Sequence, residues 1–381
     1  MINGAISVII PAYNRAGLIG ETLRSLLNQA LPAAEIIVVD DGSTDSTAEA
    51  AEAEFSVFSR QFSGKGKLPE FKVIRQANAG PGAARNRGFA ESTGEFIHFF
   101  DSDDIAAPNK HEVQVRALQE SGSDIAYGPW VKGRIAVVEK LQSEKADTLK
   151  PATSRPSPVT WHFVPEGHVL QQKGLPKGDL IKELLTRWSI VPQACLFRRS
   201  ILDKSGGFPP QMFAAEDQVL FLRCLLHGAK VAHSPGTVTF YRLGHEGKLT
   251  ESAEGHRRCI RDWARYLIIA AEEISSFQHV SASASQCFQN SSRWFGFRQR
   301  CWSALRDLKA AGEGTGEEAR RLAELTHGGP PEPASAALAT LQRWRGGIQA
   351  RLTGSREDAS FRTGPMTAEQ TTLFPSMADG E

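Results

Sequence analysis

The feature that most constrains the fold is an alternation of short apolar strands with amphipathic helices in the first hundred residues. Residues 6–13 read ISVIIPAY, a β-branched run, and a helical pattern of apolar residues follows over 19–30. Strands predicted over 36–39 and 71–75 repeat this unit. Such alternation predicts an α/β fold with a doubly wound, mostly parallel sheet, which binds its ligands beyond the carboxyl ends of the strands.

The fourth predicted strand ends in a cluster of carboxylates. The apolar run over residues 96–100 is followed at once by Asp101, Asp103 and Asp104. Three like charges this close together repel one another, and a divalent cation with oxygen ligands relieves the repulsion. An acidic turn or a helix cap is the ordinary explanation of an isolated motif of this kind. The residues suited to ligand binding that precede this cluster in the chain favour its interpretation as a cation site.

Residues suited to binding lie at the ends of the predicted strands. Tyr13, Asp40, Gly80 and Asp101 all fall at such ends or just beyond them. Because the carboxyl ends of parallel strands meet at one edge of a sheet, we expect these residues to share one crevice. A half-buried aromatic residue at position 13 and plain turn chemistry over residues 40–43 are the alternative interpretations. The convergence of all four positions favours a ligand site.

Charge and cysteine content exclude several classes of protein. The chain has 44 Lys and Arg against 43 Asp and Glu, so a net charge of +1 provides no field that attracts nucleic acid. The five cysteines are widely spaced without a C-x-x-C pair, which argues against a disulfide framework and a zinc site. No apolar stretch is long enough to span a membrane. We expect a cytoplasmic protein without nucleic-acid partners.

The later part of the chain is less regular. Residues 151–176 are rich in proline, glycine and serine, which predicts a long surface loop. An apolar helix with acidic residues at its start is predicted from Glu216 to His227. We expect one domain over residues 1–250, with a nucleotide-binding half up to about residue 130 and an acceptor-side half over 131–250.

A basic helical extension is predicted over residues 251–310. Between residues 255 and 310 four acids (262, 272, 273, 307) accompany nine Lys and Arg, at 257, 258, 261, 265, 293, 298, 300, 306 and 309. This excess, interleaved with aromatic residues, suits peripheral contact with the inner face of a membrane or with an acidic acceptor. Simple packing of a helix pair on the main domain is the alternative. Residues 311–381 are predicted to be a partly disordered tail with one helix near 337–345.

Five motifs occur in one order along the chain: VIIPAYN at 8–14, VVDDGSTD at 38–45, NAGPGAARNRG at 78–88, DSDD at 101–104, and Glu216-Asp217. Together they resemble the family 2 glycosyltransferases, over roughly residues 5 to 250. The resemblance implies a GT-A fold, Rossmann-like, whose mostly parallel sheet is flanked by helices. It also implies inverting transfer of a sugar from a nucleoside diphosphate sugar to a hydroxyl of a glycan, a lipid-linked saccharide or another small acceptor. A uridine nucleotide is the commonest donor in the family, and guanosine and thymidine nucleotides are alternatives.

The resemblance also implies which residues bind the donor. Tyr13 would stack on the base, Asp40 would accept the base N–H, and Arg85 would meet the ribose or diphosphate. A solvent-facing arginine on a helix is the alternative for Arg85. The complete set of donor-binding residues implied is Pro11, Ala12, Tyr13, Asp40, Gly80, Arg85, Asp101 and Ser102. The role of Asp41 stays open.

A divalent metal, Mn2+ or Mg2+, is the implied cofactor. By the resemblance, Asp103 would bind it directly and Asp101 partly through the ribose, and His245 would contact the metal or the diphosphate. The metal would neutralise the diphosphate as it leaves. Asp104 is expected to cap or orient the turn instead of binding the ion. His245 as an ordinary structural histidine is the alternative.

Asp217 is the implied general base, which removes the proton of the acceptor hydroxyl as its oxygen attacks the sugar. The alternative is that Glu216 and Asp217 only complement the dipole of the helix that they begin. Glu216 and Trp188 are also predicted to lie on the acceptor side. The Q-x-x-R-W signature of processive polysaccharide synthases is missing from the domain, so we expect the transfer of a single sugar.

Two other functions stay open. Residues 80–85, GPGAAR, follow a strand and open a helix like the fingerprint of a dinucleotide-dependent oxidoreductase. Arg85 departs from it, because the fingerprint has a small residue there that lets helix and strand pack closely. A non-catalytic sugar-nucleotide-binding or scaffolding protein of the same fold is the second alternative. The retained carboxylates at 40, 101, 103 and 217 argue against it.

Overall fold

A computed structural model gives the fold, and it describes residues 4–62, 67–137, 161–171, 174–243, 253–277, 291–326 and 363–365. The strands are β1 (Ile6–Ala12), β2 (Glu35–Asp40), β3 (Glu70–Arg75), β4 (Phe96–Phe99), β5 (Ile105–Ala106), β6 (Ile125–Tyr127), β7 (Trp130–Val137), β8 (Trp161–Gln171), β9 (Cys195–Arg198), β10 (Val231–His233), β11 (Thr239–Arg242) and β12 (Thr363–Pro365). The α-helices are α1 (Ile19–Leu27), α2 (Thr47–Gln61), α3 (Pro81–Glu91), α4 (Lys110–Ser121), α5 (Leu180–Thr186), α6 (Arg199–Ser205), α7 (Glu216–Leu226), α8 (Ala253–Ser276), α9 (Ser291–Ala310) and α10 (Glu317–Leu325).

The strands form two sheets. The first has seven strands in the order β10-β6-β9-β4-β1-β2-β3, and only β9 runs antiparallel to its neighbours. The second has five strands in the order β12-β8-β7-β11-β5. The predicted α/β fold, with a mostly parallel central sheet flanked by helices, is confirmed. The acidic turn at 101–104 lies in the connection from β4 of the first sheet to β5 of the second.

Helices cover both faces of the first sheet, which explains its uniformly apolar strands. Along β1, Val8 and Ile10 belong to the apolar cluster that includes α1, whereas Ile9 belongs to the cluster that includes α7 and α8. This alternation is the period of two expected of a strand. Each fully buried Ile or Leu of these clusters stabilises the fold by about 1.5 to 3 kcal/mol.

The pairing register brings the predicted binding residues to one edge of the sheet. Ala12 at the end of β1 pairs with Asp40 at the end of β2. On the other side of β1, Ile9 pairs with Phe99, so Asp101 comes two residues beyond the last paired residue of β4. The ends of β1, β2 and β4 therefore lie at the same edge, as the sequence predicted.

The loop predicted over residues 151–176 is wrong in part. Residues 161–171 form β8, which pairs antiparallel with β7. Pro165 lies opposite Gly133, where the register shifts between Val131 and Gly133. A proline is tolerated at such an irregularity because the ladder of hydrogen bonds is already interrupted there. Residues 151–160 lie outside the described part of the chain.

The helices after residue 250 pack on the main domain. Tyr266 and Leu267 of α8 are buried in the same apolar cluster as Val219 and Leu220 of α7. Helix α10 lies within the segment predicted to be a loosely ordered tail, and Leu322 on its inner face is fully buried. The predicted helix near 337–345 lies outside the described residues. Whether residues 1–250 form a separate domain stays a prediction.

Ion pairs connect the C-terminal helices to one another and to the main domain. Arg261 lies 2.6 Å from Glu313, Arg265 lies 2.8 Å from Glu318, and Arg321 pairs with Glu272. Arg223 of α7 lies 2.8 Å from Glu273 of α8. Arg261 and Arg265 of the basic extension thus already have protein partners, and peripheral membrane contact stays a prediction. None of the described helices has the length and apolar character needed to cross a bilayer.

Candidate active site

A cleft of about 380 Å³ opens at the carboxyl edge of the first sheet. It brings together residues of all five sequence motifs, which are Pro11, Ala12, Tyr13, Asp41, Gly80, Arg85, Asp101, Ser102, Asp103 and Glu216. Asp40 and Asp217 adjoin this set without lining the cleft themselves. His245 lies outside the described residues. A cleft of this size is within the range of small-molecule sites.

Tyr13 is the cleft residue best placed for stacking. It directly follows β1, and at 40% exposure it is one of the few large apolar side chains exposed among the residues that the structure describes. Asp40 at the end of β2 is buried, and its Oδ1 accepts a hydrogen bond from the Ser43 N–H at 2.9 Å. An aromatic ring open to a cleft is suited to stacking on a base, whereas Asp40 is partly engaged in its own turn.

Asp41, whose role the sequence left open, holds the loop that precedes α3. Its Oδ1 accepts hydrogen bonds from Gln76 Nε2 at 2.7 Å and from the Ala79 N–H at 2.9 Å. Its Oδ2 accepts one from the Gly80 N–H at 2.8 Å. Gly80 has a φ of 94°, and a Cβ there would lie 3.3 Å from Cε1 of Phe213. The backbone conformation thus favours glycine, and a Cβ would also crowd the Phe213 ring.

Arg85 on α3 bridges two carboxylates that are far apart in the sequence. Its guanidinium lies 2.7 Å from Asp101 Oδ1 and 2.6 Å from Glu216 Oε1, and its side chain is only 5% exposed. Burial acts to lower the pKa of Arg85, but the two carboxylates outweigh it and raise the pKa. The interpretation of Arg85 as a solvent-facing residue is therefore wrong.

The acidic turn contains three aspartates in different environments. Asp101 is 27% exposed, and its pKa is raised mainly by burial and also by Asp103, whereas Arg85 acts to lower it. Asp103 Oδ2 lies 3.5 Å from Nε of Arg15, a residue that the sequence analysis did not single out. Asp101 and Asp103 therefore present their oxygens to the cleft, each beside an arginine.

Asp104 also lines the cleft, but its hydrogen bonds hold the turn in place. Its Oδ1 accepts a hydrogen bond from the Arg242 N–H at 2.9 Å, and its Oδ2 accepts one from Gln193 Nε2 at 2.9 Å. Its carbonyl accepts a third from Thr22 Oγ1 at 2.9 Å. Burial and the charges of its two neighbouring aspartates raise its pKa well above the ordinary value. These contacts are those of a residue that orients the turn.

The turn provides a suitable set of ligands for a hard cation. Among the described residues no group of three His, Cys, Asp or Glu side chains is arranged to hold a metal by itself. Asp101 and Asp103 nevertheless offer carboxylate oxygens to the cleft. Mg2+ is commonly held in this way, by one or two carboxylates with water and substrate phosphates as the remaining ligands, and Mn2+ favours the same oxygen donors. The residues present therefore fit such an ion.

Glu216 and Asp217 begin helix α7. Ala215, just before them, has a φ of 58°, a left-handed conformation that costs a non-glycine residue about 1 to 2 kcal/mol. Burial raises the pKa of Asp217 to about 7, and the charge of Glu216 adds to the shift. A carboxyl group with a pKa near neutrality can exchange protons at physiological pH.

Helix α8 also reaches the cleft, which the sequence analysis did not predict. Arg258 lines the cleft, with its guanidinium 3.9 Å from the centre of the Phe213 ring. One helical turn later, Asp262 accepts hydrogen bonds from the backbone N–H groups of Phe213 and Ala214. The spacing of four residues puts Arg258 and Asp262 on one helix face, but only the tertiary structure shows what this face contacts.

Trp188 does not lie on the acceptor side of the cleft. It is 1% exposed and packs in the apolar core against Tyr127, with their ring centres 6.1 Å apart. This large aromatic side chain, two residues beyond the end of α5, is buried because its apolar area stabilises the core. The structure therefore places Trp188 in the core and Glu216 in the cleft.

Comparison with known proteins agrees with this architecture. Residues 7–206, which are 200 of the 381, match the family model of glycosyl transferase family 2. The poly(ribitol-phosphate) beta-glucosyltransferase of Bacillus spizizenii is 30% identical over 64% of this chain and 33% of that protein. The succinoglycan biosynthesis protein ExoU of Rhizobium meliloti is 30% identical over 62% of each. The uncharacterized glycosyltransferase YibD of Escherichia coli K12 is 29% identical over 53% of this chain. The matches thus span one third to about three fifths of these relatives.

Two solved structures match this chain at TM-scores below 0.5. TarS of S. aureus, residues 1–349 in complex with UDP-GlcNAc, has a TM-score of 0.48 and 19% identity, covering 85% of this chain and 90% of that one. The mannosyltransferase PcManGT of Pyrobaculum calidifontis, in complex with GDP-Man and Mn2+, has a TM-score of 0.49 and 18% identity, covering 90% and 80%. On the match over residues 7–206, the chain belongs to glycosyl transferase family 2.

Proposed function

We propose that this protein is an inverting glycosyltransferase that moves a sugar from a nucleoside diphosphate sugar to an acceptor hydroxyl. The observation that carries the proposal is the bridge that Arg85 makes between Asp101 and Glu216. It joins the acidic turn, where the donor would bind, to the residue beside the proposed base. The meeting of three distant motifs at one cleft supports the proposal.

The donor would lie along the edge formed by β1, β2 and β4. Tyr13 would stack on the base, with the backbone of Pro11 and Ala12 alongside and Asp40 accepting the base N–H. The Gly80 backbone and Ser102 would contact the ribose and diphosphate. Asp101 and Asp103 would hold a Mn2+ or Mg2+ ion, which supplies positive charge to the departing diphosphate. We take a UDP-sugar as the first donor to test and a GDP-sugar as the second.

Asp217 would act as the general base. In the reaction, its carboxylate removes the proton of the acceptor O–H, the acceptor oxygen forms a bond to the anomeric carbon, and the bond from that carbon to the diphosphate oxygen breaks. A pKa of about 7 leaves a useful fraction of Asp217 deprotonated at neutral pH and makes it a stronger base than an ordinary aspartate. Arg85 holds Glu216 in place beside it and keeps Asp101 oriented toward the donor.

The donor proposal is tested by thermal shift with UDP, GDP, dTDP and NAD, each with and without Mn2+. A ligand present at a hundred times its dissociation constant adds about 2.7 kcal/mol to stability. Stabilisation by one nucleoside diphosphate that depends on Mn2+ is the expected result. Stabilisation by NAD would instead favour the oxidoreductase.

The catalytic proposal is tested with Asp217→Asn. Release of UDP or GDP from UDP-glucose, UDP-N-acetylglucosamine and GDP-mannose is measured with Mn2+ present and with water as the acceptor hydroxyl. We expect the variant to lose about 100-fold or more of the rate, since general base catalysis contributes about 10² to 10⁴. Nucleotide binding should be retained. Asp203→Asn, an exposed aspartate on α6, is the matched control. Full turnover by Asp217→Asn would refute the base, and binding without turnover by the natural protein would favour the non-catalytic alternative.

A further inference from the structure

The loop before α7 is held in an unusual way. Residues 206–215 lead from α6 to the Glu216-Asp217 pair, and Ala215 at the N-cap position makes no side-chain capping bond. Its left-handed backbone conformation persists only where surrounding contacts impose it. Something outside the helix must therefore fix the direction in which α7 begins.

Asp262 on α8 provides this contact. Its side chain is 1% exposed, and its Oδ2 accepts hydrogen bonds from the Phe213 N–H at 2.8 Å and the Ala214 N–H at 3.2 Å. Its Oδ1 lies 3.5 Å from Arg265. Hydrogen bonds to a charged acceptor are about twice as strong as those between neutral groups. The carboxylate thus fixes the two residues directly before Ala215.

We propose that Asp262 is a positioning residue for the acceptor-side carboxylates. By holding residues 213 and 214, it sets the start of α7, so that Glu216 meets Arg85 and Asp217 stays beside them. Asp262 lies 56 residues beyond the segment that matches the family model. Helix α8 is then a part of the active site and not only an extension packed on it. The inference rests on the proposed role of Asp217.

The test compares three variants in the nucleotide-release assay described above for Asp217→Asn. Asp262→Ala removes both hydrogen bonds, and Asp262→Asn keeps an oxygen acceptor without the charge. Glu318→Gln is the matched control, because it removes a carboxylate 2.8 Å from the same Arg265 but leaves the loop untouched. Turnover, donor KM and the dissociation constants of UDP and GDP with Mn2+ are measured for each, together with the unfolding temperature.

We expect Asp262→Ala to lose at least tenfold in kcat, with donor KM and nucleotide affinity within threefold of the natural protein. Asp262→Asn should lose at least threefold but less than Asp262→Ala, and Glu318→Gln should stay within twofold. If Asp262→Ala does not fold, Asp262→Asn decides, and a kcat equal to that of Glu318→Gln overturns the inference. A loss that falls on donor KM and nucleotide affinity instead of kcat also overturns the inference. If Asp217→Asn is inactive while Asp262→Ala is fully active, only the positioning role fails.

Discussion

Replacing Arg85 by methionine isolates the contribution of the bridge between the two sides of the cleft. Methionine keeps much of the length and apolar area of the side chain but removes its charge. Glu216, whose side chain is 8% exposed, and Asp101 would both lose the guanidinium of Arg85 as their charged partner. Breaking a buried ion pair in this way costs about 3 to 5 kcal/mol, because a buried charge is left without compensation.

The loss of stability should depend on pH in a defined direction. Arg85 acts to lower the pKa of Asp101, so the variant should raise that pKa beyond the shift that burial and Asp103 already cause. When the folded-state pKa of a carboxyl group lies above its unfolded value, the native state binds more protons and gains stability as the pH falls. The deficit of Arg85→Met should therefore be largest at neutral pH and shrink toward about pH 4, near the ordinary pKa of aspartate.

Chemical denaturation followed by circular dichroism, at several pH values between neutrality and about pH 4, measures this deficit. A loss of about 3 to 5 kcal/mol corresponds to a fall in unfolding temperature of about 6 to 10 °C, at about 2 °C per kcal/mol for a large domain. Arg87→Met is the matched control, since Arg87 lies on the same helix in an exposed pair with Glu91, which is worth less than about 1 kcal/mol. A deficit below about 1 kcal/mol, or one that does not change with pH, would refute the reasoning.

Three further outcomes are expected. Tyr13→Ala should weaken nucleotide binding about 5- to 150-fold in calorimetry, since stacking of a base on an aromatic ring contributes about 1 to 3 kcal/mol; unchanged affinity would exclude stacking. Asp103→Asn should remove the part of nucleotide stabilisation that depends on Mn2+, measured by thermal shift, while Asp203→Asn should keep it. Turnover should rise with pH through about 7, because Asp217 must lose its proton to act, and a flat pH–rate profile between about pH 5.5 and 8.5 would contradict this.

The first four strands and their helices could be predicted because local patterns determine them. Each buried strand of the parallel sheet is an apolar run that ends in polar or turn-forming residues, and α1 carries its apolar residues at helical spacing. Strand β8 was missed for two reasons. Backbone hydrogen bonds to β7 hold it, and Pro165 weakens the usual sequence signal of a strand. Pairing of this kind depends on the partner strand, which no local pattern identifies.

The candidate site was predictable to the extent that its residues follow strands. Tyr13, Asp101 and Asp103 could be placed at one edge because parallel strands share their direction. Arg15 and Asp262 could not, because their contacts join residues 88 and 49 positions apart through packing between elements. Trp188 was assigned to the acceptor side on position alone, and the packing of α5 buries it instead.

The hydrogen bonds of Asp104 have a consequence for the affinity of the site. They fix the backbone of the acidic turn from three directions, through Thr22, Gln193 and Arg242. Fixing one residue costs about 1 to 2 kcal/mol of conformational entropy, and here the cost is met when the chain folds. A ligand that binds to Asp101 and Asp103 therefore finds a preorganised turn, and less of its binding energy is lost to ordering the protein.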